Sequence, residues 1–167
     1  QTQLIEPQEE RSLITTIPIL TPIHNSISKK VQEQYEENPY PRWNYISQRI
    51  PQDTTQVLQE RFPNEVIIPQ LDAPQILIAG CGTGRQAIQA ALTYKDAEIL
   101  AIDLSAASLA YAKRKAEERG LNQITFMQAD LLNLPSHVKQ FDIIEAVGVL
   151  HHLEDPMTGW KVLRRHL

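Results

Sequence analysis

Three glycines spaced two apart, Gly80, Gly82 and Gly84, directly follow the apolar run Ile76-Leu77-Ile78-Ala79, and a helical pattern begins at once after them. A turn without side chains at the mouth of a strand lets a nucleotide-like ligand lie against backbone. A second apolar run, Ile99-Leu100-Ala101-Ile102, ends in Asp103, 23 residues after Gly80. That is about the separation at which a carboxylate meets the paired hydroxyls of a ribose in a βαβ unit. The plainer role for Asp103 is to cap the following helix, which Ser105 could share. Asp130 ends the third run, Ile124-Thr125-Phe126-Met127-Gln128-Ala129. It could accept a hydrogen bond from an exocyclic adenine amine, with Ala129 and Leu131 as flat apolar flanks, or it could simply occupy a surface loop. Together these residues point to a nucleoside-bearing cofactor. No Gly-Lys-Ser/Thr ending follows the glycines, which argues against a triphosphate-gripping P-loop.

The fourth run ends in Glu145-Ala146-Val147-Gly148-Val149-Leu150-His151-His152-Leu153. Glu145, His151 and His152 are the nearby groups able to take a proton from an acceptor, and they are the candidate catalytic residues. Adjacent imidazoles at a strand end can equally be satisfied by backbone groups. They are poor metal candidates, because neighbours on a regular element point apart and no Cys or carboxylate cluster completes a ligand set. No metal site is expected. Cys81 has no local cation or histidine to lower its pKa and reads as packing.

The elements that position these groups change character along the chain. Residues 1–23 show no sustained period, and Pro7, Pro18 and Pro22 break up regular structure, so Leu13 to Leu20 reads as extended chain on a surface. Residues 26–37 read as a helix on the spacing of Ile27, Val31 and Tyr35. The prolines at 39 and 41 end it. A short helix is expected from the N-cap Asp53 to Phe62, before Pro63. From Pro74 the pattern alternates, with strands at 75–79, 98–102, 124–127 and 141–146 and helices near 84–93, 105–119 and 156–165. Strands apolar almost throughout and separated by helices imply an α/β fold with a parallel sheet covered on both faces. The expected division is an N-terminal arm or lid, 1–73, and a catalytic region, 74–167.

At 167 residues with 42% hydrophobic and 22% charged residues, the chain is long enough for one core. Sixteen basic against twenty acidic residues leave a net charge of −4, which builds no field for nucleic acid or an anionic membrane. A single cysteine excludes an internal disulfide, and a reducing, cytoplasmic setting is expected. There is no basic-then-apolar leader at the start. The first residue is Gln, and the fourth strand would be left as an apolar edge. Both features read as a fragment of a longer chain.

The glycine bend, Asp103, Ala129-Asp130 and the stretch Phe141-Asp142-Ile143-Ile144 through Val149-Leu150-His151-His152-Leu153, in that order over residues 74–165, resemble a class I S-adenosylmethionine-dependent methyltransferase. The resemblance implies a Rossmann-like sheet of seven strands in the order 3-2-1-4-5-7-6, with strands five to seven lying beyond Leu167. It implies that Gly80, Gly82 and Gly84 line the methionine moiety, Asp103 holds the ribose, Asp130 meets adenine, and Leu104 contacts the base. The strand-four end from Glu145 to Val147 would help to bind the amino-acid part. The segment Gln34-Tyr35-Glu36-Glu37-Asn38-Pro39-Tyr40-Pro41-Arg42-Trp43 also resembles a stretch preceding the core in bacterial methyltransferases that often carry tetratricopeptide repeats. Such repeats, or another protein, would then be partners within or beyond the full-length chain. Tyr35, Tyr40 and Trp43, with Arg42, are expected to form a lid over the cofactor or acceptor site, with plain packing on the core as the competing account.

The expected reaction is methyl transfer to an acceptor that the residues do not identify, small molecule or protein. Two rival readings remain. One is a nicotinamide oxidoreductase, against which stand the GxGxG spacing and the lack of a hydride-transfer pair. The other is a non-catalytic methyltransferase-like domain that recruits a protein.

Overall fold

The structure, a computed structural model, describes residues 2–37, 39, 41–64 and 67–167. Strands β1 (Gln75–Ala79), β2 (Glu98–Asp103), β3 (Ile124–Gln128) and β4 (Ile143–Glu145) form one parallel sheet in the order β3-β2-β1-β4. β1 sits between β2 and β4, with Ile76 opposite Ile99 on one side and Ile143 on the other. The helices are α1 (Thr2–Ile14), α2 (Ser26–Glu37), α3 (Thr54–Arg61), α4 (Arg85–Ala91), α5 (Ala106–Glu117) and α6 (Pro156–Arg164). This is a Rossmann-like α/β architecture. No helix among the described residues is long and apolar enough to cross a membrane.

The period-2 geometry of a strand divides β1 between two cores. Ile76 and Ile78 join Ala87 and Ile88 of α4 and Leu109 and Ala112 of α5 on one face. Leu77 and Ala79 join Leu131, Phe141 and Leu163 of α6 on the other. Alanines at 110, 112 and 116 let α5 lie close to the sheet, all of them buried. Ser105 caps α5 by accepting the Ser108 amide at 3.0 Å, and Asp53 caps α3 by accepting the Gln56 amide at 3.1 Å, both as the sequence implies.

Residues 2–23 depart from expectation. Instead of irregular chain, α1 forms and packs along α5. Its anchor is non-local: Glu10 meets Arg114 of α5 at 2.8 Å, with both side chains buried. A helix held by tertiary packing leaves only a weak periodic trace in its own residues. After Ile14 the chain does run extended, but bonded to the sheet: the Leu20 amide donates to the Gln128 carbonyl at 2.8 Å, and the Gln128 amide to the Pro18 carbonyl at 2.9 Å. The outer edge of β3 is thereby paired near its end.

Candidate functional site

The bend after β1 folds back over the end of β2. Amides of Gly80 and Cys81 both donate to the Ile102 carbonyl, at 2.9 and 3.0 Å. Gly80, Gly82 and Gly84 all have positive φ, a region that side chains resist. The fold-back brings the Gly82 amide to 2.8 Å from Asp103 Oδ2, while Asp103 Oδ1 accepts the Ser105 amide at 3.0 Å. Burial lifts the Asp103 carboxyl above the ordinary carboxylate range. The amides of Ser105, Gly82 and Leu104 pull it back, and the charge of Glu36 adds to the rise. The Gly82 and Ser105 bonds take one lone-pair site on each oxygen and the Leu104 amide also acts on the carboxylate, which has about four such sites, so part of its acceptor capacity remains for a ligand hydroxyl.

These groups face a cavity of about 760 Å³ at the carboxyl ends of the strands. Its floor and walls include Gly80, Gly82, Asp103, Leu104, Ala129, Asp130, Leu131 and Val147. Asp130 is 1% exposed and caps a 3₁₀ turn: Oδ1 accepts the Leu132 amide at 3.0 Å and Oδ2 the Asn133 side-chain amide at 3.3 Å. Cys81 also lines the cavity, but its thiol is pushed well up by burial and then by the Asp103 charge, which leaves it a poor nucleophile.

Several expected residues lie elsewhere. Gly84 is behind the bend, where an added Cβ would sit 2.4 Å from Ala112 Cβ of α5. Glu145 does not line the cavity; it pairs with Arg61 of α3 at 3.8 Å, because the pleat of β4 aims it away from the bend. Trp43 is buried in the core at 6% exposure, and Arg42 pairs with Glu10 at 3.3 Å. Neither covers the cavity. Tyr40 lies outside the described residues.

The covering wall is α2 instead. Ile27, Val31 and Tyr35 line the cavity, as do His151 and His152 beyond β4. The Tyr35 hydroxyl lies 3.5 Å from His152 Nε2, with the rings edge to face at 6.1 Å between centroids. Burial, then the neighbouring His151, holds the His152 imidazole below its usual range. The four-residue spacing of Ile27, Val31 and Tyr35 was visible in the sequence as an apolar helix face. Of the three, Tyr35 was expected over the site as part of a lid, whereas Ile27 and Val31 were not. Among the described residues no cluster of histidine, cysteine and carboxylate side chains could hold a metal ion.

A family model described as a methyltransferase domain matches residues 76–167, more than half of the chain. An uncharacterised protein of a Synechococcus species is 45% identical over 100 residues, covering 59% of this chain and 24% of that protein. A ubiquinone biosynthesis O-methyltransferase of Coxiella burnetii is 26% identical over 137 residues, covering 82% of this chain and 56% of the enzyme. The chain thus spans between about a quarter and little over half of these relatives. Among solved structures, PKMT2 from Rickettsia typhi in complex with AdoHcy superposes with a TM-score of 0.60 at 23% identity, over 74% of this chain and 24% of that one. With a sheet order, a bend-and-carboxylate wall and a domain match that agree, the chain belongs to the class I S-adenosylmethionine-dependent methyltransferases.

Proposed function

We propose that the cavity binds S-adenosylmethionine and that the protein transfers its methyl group to an acceptor nucleophile. The observation that carries this reading is the 2.8 Å bond from the Gly82 amide to Asp103, which makes the bend and the carboxylate one wall of one cavity. In this reading Gly80, Gly82 and Val147 face the amino-acid end, and Asp103 accepts from the ribose hydroxyls. Asp130 accepts from the adenine amine, with Leu104, Ala129 and Leu131 against the ring. The family match favours this over nicotinamide binding. An oxygen acceptor is the first class to test, since relatives such as the Coxiella enzyme carry O-methyltransferase in their names.

When bound, the cofactor supplies an electrophilic methyl on sulfur, so the protein's share is alignment, exclusion of water and custody of a proton. Ile27 and Val31 of α2 present apolar surface that keeps water out. His152, whose lowered pKa favours the neutral imidazole, takes the acceptor's proton at the ring nitrogen left free while Tyr35 holds Nε2. Methyl transfer should therefore fall with acidity through a pKa below the ordinary imidazole range, and His152→Gln should remove that limb.

Titration calorimetry of the full-length protein with S-adenosylhomocysteine tests the reading. Binding is expected, and Asp103→Ala should weaken it by roughly 2–5 kcal/mol, the scale of losing one partner from a buried charged hydrogen-bond set. Because only the ionised carboxylate accepts from both hydroxyls, affinity should decline on acidification, beginning above the ordinary carboxylate range. Asp103→Asn should flatten that profile. Unchanged affinity in Asp103→Ala would reject the ribose role.

A further inference from the structure

The arm runs along the glycine bend, with Pro41 at the cavity wall and Trp43 buried behind it, and it bonds to the bend there. Thr83, between Gly82 and Gly84, is 1% exposed. Its carbonyl accepts the Trp43 indole N–H at 3.0 Å, and its hydroxyl donates to the Pro41 carbonyl. Trp43 is itself fixed to α5. Its carbonyl accepts the Tyr111 hydroxyl at 2.6 Å, its ring meets the Tyr111 ring edge to face at 6.2 Å, and the Arg119 guanidinium lies 5.2 Å over it. On the other flank, the adjacent Gly82 amide is held by Asp103. Two successive residues of the bend are therefore restrained from opposite sides, by the arm and by the carboxylate wall.

Glycine-rich turns lose more freedom on ordering than any other backbone, and a ligand that must order such a turn binds more weakly. A turn already bonded in the folded protein has met that cost before the ligand arrives. The carbonyl of a buried residue also has a strong preference for keeping its donor, so the Trp43 bond persists. We propose that Pro41 and Trp43 are positioning residues that hold the glycine bend in its ligand-ready shape through Thr83, so that the arm sets cofactor affinity through the backbone of the bend. The proposal rests on the reading of the cavity as an adenosyl site.

The probe is S-adenosylhomocysteine, titrated calorimetrically into the full-length protein and its variants, with thermal midpoints recorded alongside. Trp43→Phe keeps an aromatic ring in the core but removes the N–H. Thr83→Val keeps the shape but removes the hydroxyl, and Thr83→Ser returns it. Val57→Ala, in the same core but outside the cavity lining, is the control for stability alone. Trp43→Phe and Thr83→Val should each raise Kd about tenfold at unchanged stoichiometry. Thr83→Ser should bind as the parent does, and Val57→Ala should lower the midpoint without altering Kd. Parental Kd in both Trp43→Phe and Thr83→Val overturns the proposal, as does an equal Kd change in Val57→Ala. If Trp43→Phe does not fold, the Thr83 pair decides. A parent protein that fails to bind the probe overturns the adenosyl reading itself, a result distinct from any pattern among the variants.

Discussion

Gly84 and Gly80 show how single atoms shape the bend. At Gly84 φ is +81°, and an added Cβ would meet Ala112 Cβ at 2.4 Å. At Gly80 φ is +70°, and the same addition would fall 2.5 Å from a methyl of Val149, on the loop after β4. The first glycine lets α5 pack against the bend, and the second lets the post-β4 loop close on it. Gly84→Ala combines a left-handed backbone penalty of about 1–2 kcal/mol with overpacking of about 1–3 kcal/mol. It should therefore lower stability in urea by about 2–5 kcal/mol. It should also weaken S-adenosylhomocysteine binding, although Gly84 does not line the cavity. A variant with the parent's denaturation midpoint would show that α5 can retreat without loss.

Among the elements, α2 makes the link between arm and sheet. Glu36, near its end, accepts the amides of Ala106 and Ala107 at 2.7 and 3.1 Å, the first residues of α5. A carboxylate there meets the positive end of the helix and satisfies amides that lack intrahelical partners. Glu36 also adds to the upward shift of Asp103, so its charge reaches the candidate ribose site through space. Glu36→Gln should cost about 0.5–1 kcal/mol of stability, read from chemical denaturation. It should also move the acid decline of S-adenosylhomocysteine affinity to lower pH, because one negative neighbour of Asp103 is gone. A decline that stays where it was would mean that the two carboxylates are screened from each other.

For the whole molecule, the decisive contact joins residues far apart in the chain. Glu10 of α1 and Arg114 of α5 are both buried and meet at 2.8 Å; Arg42 of the arm reaches the same carboxylate at 3.3 Å. Removing one partner of a buried pair leaves a charge without its complement, a loss of about 3–5 kcal/mol. Glu10→Ala should fall at the lower end of that range, since Glu118 still pairs with Arg114. Urea denaturation followed by far-UV dichroism measures it. A loss below about 1 kcal/mol would place this pair with exposed ion pairs in its energetic effect.

Much of this architecture was readable before any coordinates. The alternation of apolar runs with helical patterns after Pro74, the proline and glycine punctuation, and the caps Asp53 and Ser105 are local signals, decided within a few residues. The bend and Asp103 belong to the same class, because a strand end, a turn and a carboxylate at fixed spacing must approach once the sheet is parallel. What lay out of reach depended on partners many residues away. α1 is stabilised by α5, Trp43 by Thr83 and Tyr111, and Glu145 by Arg61. Tyr35 and His152 meet from opposite ends of the chain. Backbone preference follows from neighbours in sequence, whereas the side of a wall that a residue faces follows from what packs behind it. For that reason the residues alone brought the glycine bend and Asp103 together, and the tertiary structure decided that Ile27, Val31 and Tyr35 of α2, not Arg42 and Trp43, line the cavity.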